Sequence, residues 1–424
     1  MRLVMAIALV VTVVLVRVAP VGLHGTDAAC YAHIAQALAA KPVTDWADVR
    51  WLADEPFYEH PPLGLWLEGG WFAVFGASAA SAVAWARVLA LLLALFVGVL
   101  GFRLGGREGA ALALVGLSSL ATFQREAENP MLELPLAVAC AAAFVACEAL
   151  PRLGRGAVLA FAACATVAFW IKGVVAFALV GGLVWAWWRG TPRGRILVAA
   201  SVSAALASFT VLAFEFARWR GGLPPFFPDY FAKHVLVAFA EGRHTVEPSP
   251  LFHVATLLDW HLPALLALPV VGLRWRATPG MRPFAVLGVA WLVCVVVPFS
   301  LAQQKSAWHL NVLMPGDALL VGAALMCLPA PVLRFTSPVL AAWMVAWVVV
   351  EYRTAAQPSA RQVAVRAMAT VPAPPAGSAV QNCSVLTDWP ARHLFAFHWG
   401  ARVVPCEGDG AWRFDGKELR RASP

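Results

Sequence analysis

Six stretches of the chain hold side chains that can move protons or bind an anion. Asp27 lies in "HGTDAACYAHIAQ"; Glu59 and His60 stand directly before Pro61 and Pro62 in "FYEHPPLGLWLEGGWFAVFG". Arg125, Glu126, Glu128 and Glu133 share "QREAENPMLELPLAV", and Lys172 interrupts an apolar run at "FWIKGVV". Lys305 and His309 fall in "SLAQQKSAWHLNVLMPG", and His234, Arg243, His244 and His253 crowd residues 217–253. A carboxylate such as Asp27 can take a proton from an incoming nucleophile. Lysines and histidines beside it can stabilise a departing phosphate. Each residue also has a plainer use. Asp27 suits a helix cap, Glu59 and His60 suit a solvated loop pinned by prolines, and the lysines suit snorkelling to a membrane surface. Glu133 is harder to dismiss, because an ionisable group among apolar residues at the start of a span marks function by default. Glu59 with His234 and His244 offers a set for a divalent metal ion, although no spacing matches HExxH. The chain has no Walker loop, GxGxxG or G-x-S-x-G in a fitting context, so nucleotide-driven and serine-hydrolase chemistry lack support.

The elements that must position these groups are membrane helices. Of 424 residues, 61% are hydrophobic and 13% charged, against about 25% charged in soluble domains. Apolar runs predict about eleven spans: roughly 3–19, 83–102, 109–123, 133–149, 157–171, 173–188, 195–216, 253–273, 284–301, 310–328 and 333–351. The first reads as an uncleaved helix, since no small-x-small cleavage site follows it. A lone lysine at the bilayer centre is costly, so Lys172 is placed at the tip of a helical hairpin.

Threading these spans sorts the links into two sets. One holds eleven arginines and one acid, Glu108. Those links are short and predict a cytoplasmic face. The other set, residues 20–82, 124–132, 172, 217–252, 302–309 and the tail from 352, carries the acids and the residues named above. The formal charge of +8 therefore records topology and calls for no nucleic acid. The 20–82 loop predicts surface helices over "DAACYAHIAQALAA" and "LGLWLEGGWFAVFG", with Pro61 and Pro62 in the first turn of the second. Residues 1–351 form the expected membrane domain. Residues 352–424 form a small tail, in which residues 383–406 read as a strand-and-turn unit that Cys383 and Cys406 can close outside the cytoplasm. The other six cysteines lie in or beside apolar runs and serve as packing residues.

Taken in order, "EHPPLGLWL", "AWARVLALLLAL" with Arg87, "LELPLAV", "IKGVVAF" and "QQKSAWHLNVLMPGDALL" resemble the GT-C glycosyltransferases of the protein O-mannosyltransferase and aminoarabinose transferase (ArnT-like) group, family 39. The resemblance covers most of residues 20–325. It implies an all-α GT-C bundle in a bacterial inner membrane. It also implies an inverting transfer of sugar from a polyprenyl-phosphate donor to an extracytoplasmic lipid, glycan or protein acceptor. By that resemblance Asp27 is a candidate base or acceptor-orienting group, Glu59 belongs to metal and site geometry, and Lys172 and Lys305 match recurring lysines, Lys305 fitting a phosphate contact best. On their own chemistry Glu59 and Glu133 join Asp27 as catalytic candidates, and His60, His309 and Arg243 join the lysines as candidate donor-phosphate contacts. The chain departs from the group at four points. Ala28 follows Asp27 where an acid is common, His60 stands for Lys, Glu133 for Asp, and His309 for an aromatic Tyr. A transporter or flippase is the competing reading. It fits less well because the charges gather on one face and no inverted repeat is found.

Overall fold

The computed structural model describes residues 2–15, 26–51, 56–240, 251–303, 305–329 and 331–332, with residues 374, 379–382, 397, 402–405, 412–414 and 419–421 of the tail. The expected span 333–351, the Cys383–Cys406 pair, Arg243 and His244 lie outside the described residues.

The chain opens with α1 (Arg2–Leu15), followed by α2 (Thr26–Ala39) and α3 (Leu63–Phe75). Then come α4 (Ala79–Ser118), α5 (Ala121–Glu126), α6 (Glu133–Leu153), α7 (Arg155–Lys172), α8 (Ala178–Trp188) and α9 (Arg193–Arg220). The short α10 (Phe227–Tyr230) runs through a π-helical segment, Phe231–Leu236, into α11 (Val237–Ala240). The bundle continues with α12 (Phe252–Trp260), α13 (Leu262–Arg274), α14 (Arg282–Leu301) and α15 (Met314–Met326), the last preceded by a 3₁₀ segment, Ala307–Leu313. Among the described residues, six helices are long and apolar enough to cross a membrane, or seven if α12 and α13, which meet at 90°, form one span.

Ten of the expected spans have helical counterparts. Their lengths differ for identifiable reasons. The second and third are arms of α4, which breaks at Gly105 and Gly106; Gly106 has φ 64°. The arms then press together: a Cβ on Gly101 would stand 2.7 Å from the Gly109 carbonyl. Such close approach of small residues is how membrane helices gain packing contacts. The 11-residue α8 spans only about 17 Å at 1.5 Å per residue. Both expected surface helices are present. Pro62 caps α3 rather than entering its first turn.

The two sets of links lie at opposite ends of α6. Near its C-terminus Arg103 Nη1 donates to the Val145 carbonyl (3.0 Å), Arg189 pairs with Glu148 (3.0 Å), and Arg195 Nη1 donates to the Leu150 carbonyl (2.8 Å). Its N-terminus carries Glu133, about 26 Å away by helix rise. At that end Arg218 of α9 holds two loops, donating to the carbonyls of Pro224 and Ala47. Glu215 accepts from the Phe226 amide (3.0 Å). A buried block of Tyr58, Trp170, Phe214, Phe226, Phe227 and Tyr230 fills the space between.

In the tail, strands β1 (Ala379–Asn382), β2 (Arg402–Pro405), β3 (Trp412–Phe414) and β4 (Leu419–Arg421) form one sheet in the order β2-β1-β3-β4. Phe397 is buried against Phe72 of α3, and its carbonyl accepts from Gln36 Nε2 of α2 (3.2 Å). Of residues 383–406, expected as a strand-and-turn unit, only Phe397 and β2 are described.

Candidate active site

A cavity of about 260 Å³ opens at the Glu133 end of the bundle. Asp27, Glu59, His60, Glu133, Lys172, His234 and His309 all line it. Seven residues flagged in the sequence, up to 282 positions apart, thus line one cavity.

α2 presents Asp27 in its first turn, inside the helix rather than at the preceding cap. A carboxylate there is favoured by the helix dipole. Burial, reinforced by Glu133 and Glu59 and opposed by Lys172, raises the Asp27 pKa from 3.8 to about 6. Tyr31 lies four residues on, hence on the same helical face, and joins the lining. Its ring meets His60 edge-on, with centroids 5.9 Å apart. The bend before α3 thereby sets His60 between Tyr31 and Phe57, the latter at 6.3 Å.

Glu133 opens α6 and Lys172 ends the antiparallel α7, so packing of those helices brings the two together as an ion pair. The pair is buried, with side chains 1% and 3% exposed. Gly173 follows with φ 61°, and a Cβ there would stand 1.8 Å from Tyr230 Oη. Only glycine permits both the backbone turn and the close seat of Tyr230, whose hydroxyl accepts from the Val174 amide (3.3 Å). The π-helical segment Phe231–Leu236 then directs the adjacent His234 and Val235 to the cavity. Insertions of this kind often mark functional sites.

The fourth wall is the 3₁₀ segment before α15. It supplies Trp308 and His309, and the His309 ring stacks on Phe299 at 4.8 Å. Asn311 Nδ2 donates to Glu126 Oε1 (2.8 Å), which ties this segment to α5. Burial, then the charge of Glu133, pushes the Glu126 pKa up to about 8, against the pull of Arg125, Lys172 and Asn311. The folded state therefore binds a proton that the unfolded chain releases above about pH 4.5. The stability this gives is complete below pH 4.5 and is lost as pH rises through about 8. Glu126→Gln is expected to flatten that decline. Thermal unfolding of wild type and variant between pH 5 and 9 checks it, and parallel curves would contradict it.

Lys305 stands apart from the other expected residues. Its Nζ donates to the Ala302 carbonyl (3.0 Å), and it lies beside the cavity, outside its lining. Arg87 within α4 is likewise outside the lining. Of the expected metal set, Glu59 and His234 line the cavity and His244 is outside the described residues. Among the described residues no three of His, Cys, Asp and Glu are grouped so as to hold a metal ion. Tyr31, Tyr230 and Trp308 are among the lining residues that the sequence did not single out. Only Tyr31 carried a signal, its i+4 spacing from Asp27.

No protein-family model matches the chain, and no curated protein matches it in sequence. Solved structures do. ArnT from Cupriavidus metallidurans bound to undecaprenyl phosphate superimposes with a TM-score of 0.68 at 18% identity, over 95% of this chain and 85% of that one. Its apo state gives a TM-score of 0.69 at the same identity and coverage. The apo oligosaccharyltransferase of Archaeoglobus fulgidus gives 0.57 at 13% identity, over 97% of this chain and 65% of that one. Helical membrane bundle, surface helices and structural neighbours together place this chain in the GT-C fold, the architecture it shares with ArnT.

Proposed function

We propose that this protein is a membrane glycosyltransferase that moves a sugar from a polyprenyl phosphate to an acceptor outside the cytoplasm. The observation that carries this reading is the single cavity lined by Asp27, Glu59, His60, Glu133, Lys172, His234 and His309. The fold neighbour ArnT binds undecaprenyl phosphate, and the arginine-rich links at the far end of the bundle favour a cytoplasmic placement for that end.

In this reading Asp27 takes the proton from an acceptor hydroxyl or amine. The acceptor atom bonds to the anomeric carbon as the bond from that carbon to the phosphate oxygen breaks. Polyprenyl phosphate leaves, and direct displacement inverts the anomeric centre. Lys172, with His60 and His309, faces the charge that develops on the phosphate. Lys305 lies beside the lining and, with Arg243, is assigned to the same phosphate. Lys172 is held ready by Glu133, so an arriving phosphate shares a cation that is already oriented. Glu59 and His234 also line the cavity.

The test compares envelope glycolipids and glycoproteins by mass spectrometry in cells with the gene, without it, and with Asp27→Asn. A sugar modification present only with the wild-type gene is the expected result. Identical envelopes in all three strains would remove the reading.

A further inference from the structure

Trp308 is held in a way the transfer steps above do not use. Arg125 lies over two adjacent indoles, its guanidinium carbon 4.0 Å from the Trp260 ring centre and 4.8 Å from that of Trp308. The two indoles are 5.1 Å apart and tilted by 57°. Arg125 lies in the last turn of α5, and the final residue, Glu126, accepts from Asn311, three positions after Trp308. The 3₁₀ segment is therefore fastened to α5 on both sides of His309. Cation–π contact of this kind fixes a ring that would otherwise rotate. Trp308 is only half-buried and lines the cavity, so with Arg125 against the indole a fixed aromatic surface remains toward the site.

Other parts of the cavity suit other parts of a donor. Lys172, His60 and His309 suit a phosphate, and Val174, Val175, Val235 and Phe239 suit a chain of hydrocarbon. A sugar ring needs something different. Its C–H bonds are weakly positive and match the negative face of an aromatic ring. Trp308 is the indole among the lining residues.

We propose that Trp308 is the platform on which the sugar ring of the lipid-linked donor stacks, and that Arg125 is the positioning residue that holds it. This rests on the proposed transferase reading. It gives Trp308 recognition of the sugar and leaves recognition of the phosphate and lipid to other residues.

Full-length protein in lipid nanodiscs is titrated with undecaprenyl phosphate, and with undecaprenyl phosphate carrying mannose or arabinose. In wild type, a sugar-bearing lipid binds more tightly than the bare lipid. Trp308→Ala is expected to weaken that sugar-bearing lipid by about tenfold and to keep the affinity for bare undecaprenyl phosphate. Trp308→Phe retains most of the gain, and Arg125→Gln loses part of it. Equal weakening of bare and sugar-bearing lipids by Trp308→Ala, or no weakening of either, overturns the platform. So does a wild type that gains nothing from either sugar. A wild type that binds no undecaprenyl phosphate at all overturns the transferase reading itself, and the platform with it.

Discussion

Asp27→Asn is expected to lower kcat/KM for sugar transfer by about 10²–10⁴-fold, the range for loss of a positioned base. The substitution keeps the shape and a hydrogen-bonding group but cannot accept the proton. The fold should survive it, because the native site already disfavours the ionised acid. With the Asp27 pKa raised from 3.8 to about 6, its contribution to stability is complete below pH 3.8 and is lost as pH rises through 6. The variant is therefore at least as stable as wild type at pH 7. The same shift sets the acid limb of activity. Wild-type kcat/KM should fall below about pH 6, by about tenfold per pH unit, as the base becomes protonated. A flat profile between pH 5 and 7, in protein that unfolding shows to be intact, would remove Asp27 as the base.

Lys172→Met is expected to cost about 3–5 kcal/mol of stability, since it strands the buried Glu133 carboxylate without its partner. Lys172→Met/Glu133→Leu should recover most of that loss, because two apolar side chains of similar size replace the pair. Transfer should not recover with it. The phosphate role of Lys172 needs a cation, whereas the structural role needs only a matched partner. Thermal unfolding and turnover, measured on the same preparations, separate the two. A double variant that is both stable and active would make Lys172 a structural residue and move phosphate recognition to the histidines.

Much of this arrangement was legible in the sequence, for reasons that differ by residue. Charges in an apolar chain are conspicuous because burial makes them expensive, so Asp27, Glu59, Glu133 and Lys172 stood out individually. Topology then placed them on one face, since hydrophobic runs and arginine-rich links are local signals. Partnership was not legible. Glu133 and Lys172 are 39 positions apart and meet only because α6 and α7 pack antiparallel. Lys305 differs. Its place near the start of a membrane helix favoured a phosphate contact, and the structure puts it beside the cavity with its ammonium donating to the Ala302 carbonyl. Tyr230 depends on Gly173 and on a π-helical insertion, neither of which has a reliable pattern. Trp308 was not legible, because Arg125, 183 positions away, leaves no trace in its sequence neighbourhood. The span lengths shifted where glycines or a 90° bend redirected the chain.

The central claim is that this cavity cleaves the bond between a sugar and a polyprenyl phosphate. The direct measurement is release of undecaprenyl phosphate by purified protein in nanodiscs. The donor is undecaprenyl phosphate bearing a radiolabelled sugar, and an envelope extract from cells that carry the gene supplies the acceptor. The account predicts that wild type releases undecaprenyl phosphate and transfers label to extract material, and that Asp27→Asn does neither while still binding the lipid. Tight binding of the donor by wild type with no release, across the envelope fractions, would contradict it.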